Sequence, residues 1–387
     1  VSNISPDDAS AVIGGNERVV RPRLADAKFF FDQDRKKTLE SRLASLDKVV
    51  YHNKLGSQGQ RTTRVASIAS AIGQQLGGDA LASKAAQAAR LAKADLVTDM
   101  VGEFPELQGI MGRYYAQHEG LDNDVAYAIE DHYKPRFAGD ELPRNQVGVV
   151  VALADKLETL CGMFGIGQIP SGDKDPFALR RHALGVVRLL IENSLPLTLD
   201  TLLNTTFGCF AADVENASTA LRSFIYDRLS GSLREQGYSA QEVDAVLALE
   251  PQQLADIAKR LEAVKAFAAL PEAESLAAAN KRVGNILKKA EGDVQASINQ
   301  ALLVEPAEQA LAQALASVTP QADAAFAAGD YRSSLQALAA LRTPVDAFFD
   351  GVMVNAEDPA LKANRLGLLA SLHQAMNRVA DLSRLAG

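Results

Sequence analysis

Three side chains have the types and order of a divalent-metal site: His52 in "YHNKLGS", Asp95 in "LAKADLVTDM" and Asp155 in "VALADKLETL". Imidazole and carboxylate together hold such a cation, and open positions on it would take water and phosphate. Two or three donors are thin for a catalytic ion unless His118 or His132 joins them. Around Asp95 the acids recur nearly once per turn, as Asp95, Asp99, Glu103 and Glu106. The bland reading of this ladder is a solvated or partner-facing helix edge. Pro105 is expected to end or kink the helix and so to take Glu103 and Glu106 off the common face.

A second chemistry lies in "NKRVGNILKK", residues 280–289, where Lys281, Arg282, Lys288 and Lys289 occur with no acid among them. On a helix Lys281, Asn285 and Lys288/Lys289 fall at i, i+4 and i+7/i+8, so one face offers cations and an amide. That combination suits phosphates plus a base edge. It equally describes an ordinary solvated face. Other strings carry less. "SGDK" at 171–174 fits Ser-x-x-Lys but sits in a Gly-rich turn without companion motifs. "GIGQIPSG" holds Gly165 and Gly167 but lacks the third glycine and the preceding strand of a dinucleotide loop. There is no Walker sequence, and neither class of aminoacyl-tRNA synthetase active-site string is present.

The elements that must position these residues are helices. The 387 residues are 47% hydrophobic and only 6% aromatic, with no Trp, a composition that favours a mostly α, all-α-class protein of two or three domains. Asp175 and Pro176 predict the start of a helix running to about 192. Pro196 and Pro271 mark breaks, and Leu368, Leu372, Met376, Val379 and Leu382 form an apolar stripe that needs a bundle to bury it. The divisions expected are 1–23, 24–195, 196–270 and 271–387. The chain opens on Val and on "VSNISPDD", which reads as the interior of a longer protein. No stretch approaches the ~20 apolar residues of a membrane span, "VGVVVALA" at 147–154 being short enough for a buried helix. Cys161 and Cys209 cannot make a disulfide framework, and no signal peptide is visible, so a cytoplasmic protein is expected. The net charge of −8 argues against bulk attraction to nucleic acid. Any polyanion must therefore be held by local patches.

The order of His52, Ala94-Asp95 and Asp155 resembles the HD domain of metal-dependent phosphohydrolases, whose pattern is a His, an adjacent His-Asp pair and a distant Asp; here the pair lacks its histidine. A longer likeness covers nearly the whole chain. "EDPALKANRLGLL" resembles the DALR-type helical anticodon-binding module, with Lys362 where the box ends in Arg. "PVDAFFDGVMV" ahead of it is similar to the version in the β subunits of bacterial heterotetrameric glycyl-tRNA synthetases. "GNERVVRPRLADAKFFFDQD", "HNKLGS", "KADLVTDMVGEFPELQG", "ADKLETL" and "DPFALRRHALG" resemble the same family, in order. The resemblance implies an HD-like helical domain, a helical linker and an anticodon-binding bundle, roughly the C-terminal half of such a subunit. It implies glycine attachment to tRNA(Gly) with ATP and Mg, the adenylate site lying in a separate α subunit of an α2β2 complex, and no cofactor or catalytic residue in this chain.

The tRNA contacts expected are Lys281, Arg282, Asn285, Lys288 and Lys289, then Arg342, Lys362, Asn364 and Arg365, with Asn285 and Asn364 reading base edges. Of Phe348 and Phe349, one is expected in the core and the other is a candidate for stacking on a base. Lys174, Arg180, Arg181 and Arg188 would line the tRNA body or pair with nearby acids. Two other readings are carried alongside: a divalent-metal phosphohydrolase centred on His52, Asp95 and Asp155, and a helical scaffold that binds only the α subunit.

Overall fold

The computed structural model describes residues 7–290 and 292–386. The first six residues of the division expected over 1–23 lie outside the described residues, as do Glu291 and Gly387. Apart from one antiparallel pair, Val50–His52 with Gly56–Ser57, and a single bridge between Ser171 and Lys174, the described regular structure is helical. The composition implied as much. Within the described residues the chain divides into two compact units. One runs to Leu190 and takes in Leu195–Ser223, and the other holds Ile191–Ser194 and everything from Phe224 onward.

The first unit is built on the helix Gln146–Gly165, buried at every position from Val147 to Gly165. Its first half, the apolar run 147–154, belongs in an interior, and its second half carries Asp155, Lys156 and Glu158 into the same interior. The Asn145 side chain starts it by accepting from the Gly148 amide at 2.7 Å. The neighbouring segment Gln58–Leu91 opens on a capping box made by Ser57 and Gln60 and is interrupted at Gly77 and Gly78, the latter at φ +66. A Cβ on Gly73 would lie 2.8 Å from the Ala82 Cα, whereas nine residues of unbroken helix span about 13 Å. The segment therefore folds back on itself, and only a side chain of hydrogen lets its two arms approach so closely.

Two local expectations are corrected here. The carboxylate ladder does not share one helix edge: Asp95 sits in a 3-10 turn, Ala94–Val97, Asp99 and Glu103 bound the short helix Asp99–Glu103, and Pro105 opens another turn, Pro105–Leu107. The helix expected from Pro176 begins at Leu179 and ends at Glu192. Asp175 does cap it, accepting from the Leu179 and Arg180 amides at 2.8 and 3.0 Å, but Ala178 at φ +54 delays the first turn.

The second unit packs the helices Ala240–Leu247, Ile257–Ala268, Ala273–Lys289, Pro306–Ala327, Tyr331–Ala337, Arg342–Gly351 and Pro359–Met376. Residues 224–270 thus lie with the C-terminal helices instead of forming a separate linker. Leu368, Leu372, Met376, Val379 and Leu382 are all fully buried. The helix carrying the stripe ends at Met376, and Leu382 opens a 3-10 turn, so the last two apolar positions are delivered by a bend. Asn280 and Asn377 exchange side-chain amide hydrogen bonds of 2.8 and 3.2 Å across this core. Among the described residues no helix is long and apolar enough to cross a membrane.

Candidate functional site

The residues read as metal ligands are held by the protein's own cations and amides. Asp95 is fully buried and its Oδ2 accepts from the amides of Gly109 and Gly112, at 2.5 and 3.0 Å, at the start of the helix Ile110–His118. Gly109, at φ +82, has no side chain to cap that helix, so Asp95 does it from a distance. Burial raises the Asp95 carboxyl above its ordinary range against the pull of these amides. Asp155 pairs with Arg61 at 3.0 Å and Lys93 at 3.5 Å. Burial alone would raise its carboxyl, but Arg61 and Lys93 overcome it and hold Asp155 well below the usual range.

Around this pair the cluster closes. Arg61 donates from Nε to Glu158 at 2.9 Å and from Nη2 to Thr159 at 2.8 Å, and Arg64 joins Glu158 at 2.8 Å. The Lys93 ammonium lies 2.7 Å from His132 Nε2 and 3.9 Å from the centre of the Tyr133 ring. His132 Nδ1 lies 2.6 Å from the Ile129 carbonyl, so Nδ1 carries the proton and Nε2 accepts from Lys93. Burial, then Lys93, keeps this imidazole neutral, well below its ordinary pKa. Lys156 donates to the carbonyls of His132, Tyr133 and Lys134, the last at 2.9 Å. Burial brings Lys93 and Lys156 each down to about 8.

These residues do not fit a divalent cation. His132 has spent its lone pair, guanidinium and ammonium stand against Asp155, and His52 packs its ring edge-on to Phe177 while Nδ1 accepts from the Lys54 amide at 3.2 Å. Among the described residues no three His, Cys, Asp or Glu come together to hold a metal. The phosphohydrolase reading is thereby overturned. Arg61, the residue that organises the cluster, was missed in the sequence. Its partner Glu158 is 97 positions away, and no local pattern marks it.

The cations of the second unit are treated in the opposite way. Lys281, Arg282, Asn285, Lys288 and Lys289 all project exposed from the helix Ala273–Lys289. Among the described residues none of the four cations makes an ion pair. Arg282 lies over the Phe349 ring at 4.2 Å, and Phe349 meets the fully buried Phe348 edge-on. The cation thus covers the ring that was a stacking candidate. Lys281, Asn285 and Lys288 form one wall of an open groove of about 680 Å³ whose other lining includes His373, Asp381 and Arg384. Lys362 is exposed, and Arg342 is exposed with Asp346 at 3.7 Å.

Two expected contacts are corrected. Asn364 is 6% exposed; it accepts from the Asn299 amide at 2.7 Å and donates to the Asn299 carbonyl at 3.1 Å, so its amide is already used as a clasp. Arg365 is 7% exposed, ion-paired with the buried Glu308 and donating to the Met353 carbonyl at 2.7 Å. Both are structural. In the first unit Lys174 and Arg181 are exposed, while Arg180 donates to the Gly172 carbonyl at 2.5 Å and Arg188 to that of Asp140 at 2.9 Å.

Comparison with known proteins bears on both units. Residues 1–248 match the glycyl-tRNA synthetase beta subunit family, and residues 276–382 match the DALR anticodon binding domain. The chain is 73% identical over 388 residues to the glycine–tRNA ligase beta subunit of Methylobacillus flagellatus, covering 100% of this chain and 55% of that protein. It is likewise 73% identical over 386 residues to the corresponding subunit of Delftia acidovorans, with 100% and 55% covered. For Dechloromonas aromatica the identity is 73% over 388 residues, with 100% and 54% covered. The chain thus spans a little over half the length of these curated relatives. The family match takes in well over half of the sequence and the identities are high throughout, so the chain belongs to the glycyl-tRNA synthetase beta subunits.

Proposed function

We propose that this chain is the tRNA-gripping part of a glycine–tRNA ligase beta subunit, holding the anticodon arm of tRNA(Gly) on its second unit. The ligation of glycine with ATP and Mg takes place in a separate α subunit of an α2β2 complex in the cytoplasm. The observation that carries this reading is the exposed face of the 273–289 helix, four cations and an amide, lying inside the anticodon-binding match. In a protein of net charge −8 such a face is a local concentration of positive charge, which an overall acidic chain needs in order to hold a polyanion. Neutralising phosphates releases condensed counterions and supplies most of the affinity, while sequence is read where loop bases are unstacked. Lys281, Arg282, Lys288 and Lys289 serve the first purpose, with Arg342 and Lys362 extending the track. Asn285 serves the second. Lys174 and Arg181 of the first unit, with Arg180 tied to its own turn, are a second cationic edge for the tRNA body.

The test is binding of a tRNA(Gly) transcript to the purified chain as salt is raised. Affinity should fall steeply with salt, and Lys288→Glu with Lys289→Glu should weaken it about tenfold or more and flatten that dependence. Binding that ignores both salt and these substitutions would leave a scaffold that contacts only the α subunit. Footprinting of the transcript should show the anticodon loop protected by the unaltered chain and open with the double variant.

A further inference from the structure

The groove beside the cationic face has features that phosphate binding does not require. Its volume of about 680 Å³ lies within the range of about 300–1,000 Å³ typical of small-molecule sites. Lys281 and Lys288 stand on one rim with the Asn285 amide between them. Gly284 forms the floor: a Cβ there would meet nothing nearer than His373 Nε2 at 3.6 Å. The His373 ring is half-buried and lines the opening. Burial lowers its pKa, so at neutral pH it is an uncharged ring able to stack. Asp381, which also lines the groove, is only partly engaged. Its Oδ1 accepts from the Ser383 amide and hydroxyl at 3.1 and 2.6 Å, and its Oδ2 faces Arg384 Nε at 3.3 Å. A carboxylate has about four lone-pair sites, so at least one remains for an incoming donor.

We infer that this groove takes one unstacked base of the bound RNA, stacked against His373 and read at its exocyclic amine by Asp381, with the flanking phosphates on Lys281 and Lys288. This rests on the tRNA-binding reading and adds to it a place and a preference. A carboxylate accepts from the exocyclic amine of cytosine, adenine or guanine, whereas uracil has no exocyclic amine and places a carbonyl oxygen, which repels the carboxylate, where cytosine has its amine. Asn285, exposed on the same wall, can donate and accept at once and is placed for a second edge contact.

The experiment measures the affinity of the purified chain for a tRNA(Gly) transcript and for the same transcript with each anticodon nucleotide replaced in turn by uridine. At one position the unaltered chain should prefer the original base by about tenfold, the worth of one good base contact. Gly284→Leu fills the floor without changing charge and replaces a helix-weakening residue by a helix former, so the variant should fold. It should abolish the preference while leaving the salt dependence intact, and Asp381→Asn should reduce the preference in the same way. Lys288→Glu with Lys289→Glu should instead weaken all transcripts equally. If that charge reversal weakens binding while Gly284→Leu and Asp381→Asn leave the preference untouched, the groove is not the base site and the tRNA-binding reading survives. If no variant and no uridine replacement alters affinity, both fall together.

Discussion

The two units contain cations of the same kind and use them in opposite ways. In the first, Arg61, Lys93 and Lys156 are sealed inside with Asp155, Glu158 and neutral His132. In the second, Lys281, Arg282, Lys288 and Lys289 face solvent. A buried charge must be matched, because desolvation costs several kcal/mol per ion and is recovered only by well-made pairs and hydrogen bonds. An exposed charge has no such obligation and stays available to an incoming polyanion. Sequence composition cannot separate these cases; the geometry can. The inner set fixes structure, and the outer set is free to bind.

That contrast can be broken most readily at Arg61. Arg61→Ala leaves Asp155 and Glu158 buried and poorly matched and should cost about 3–5 kcal/mol, read as a fall in the urea midpoint of the first unit. A loss under 1 kcal/mol would mean that water reaches the cluster. Arg365 tests whether the second unit follows the same rule where it buries a cation. Arg365→Ala strands Glu308 and should cost about 3 kcal/mol, while tRNA affinity per folded molecule stays the same.

A smaller effect comes from pH. Lys93 is held near 8 in the fold and returns to about 10.5 on unfolding, so between these values the unfolded chain binds more protons and stability rises with pH. Unfolding midpoints at pH 7.5 and 9.5 should therefore rise more for the unaltered chain than for Lys93→Met. An equal or opposite change would place Lys93 in contact with solvent. The smallest effect on stability belongs to the outer set: Lys288→Glu with Lys289→Glu should stay within about 0.5 kcal/mol of the parent, even though its tRNA binding is impaired.

What the sequence made legible follows the same division. The face of the 273–289 helix could be read because exposed residues on a helix keep a simple period, and position alone sets their direction. Arg61 could not, since the carboxylate it serves lies on another helix 97 residues on. Asn364 and Arg365 were misassigned for a related reason: an amide and a guanidinium look the same whether they face RNA or the interior. Here Asn299 and Glu308, both distant in sequence, turned them inward. Asp95 carried the correct chemistry, an exposed-looking carboxylate with strong acceptors, but the donors it met were backbone amides. The Asp175 cap was visible while the helix start was not, because the three intervening residues turn through a positive φ that no residue type there advertises.

Ala94, beside the capping aspartate, is wholly enclosed. A histidine installed there would have an entire ring to house before it could coordinate anything. Dislodging Arg61 first would strand two acids, and freeing His132 would first require removing Lys93. A metal centre in this frame would therefore take several coordinated substitutions, each of which alone leaves a buried charge unmatched or a side chain without room.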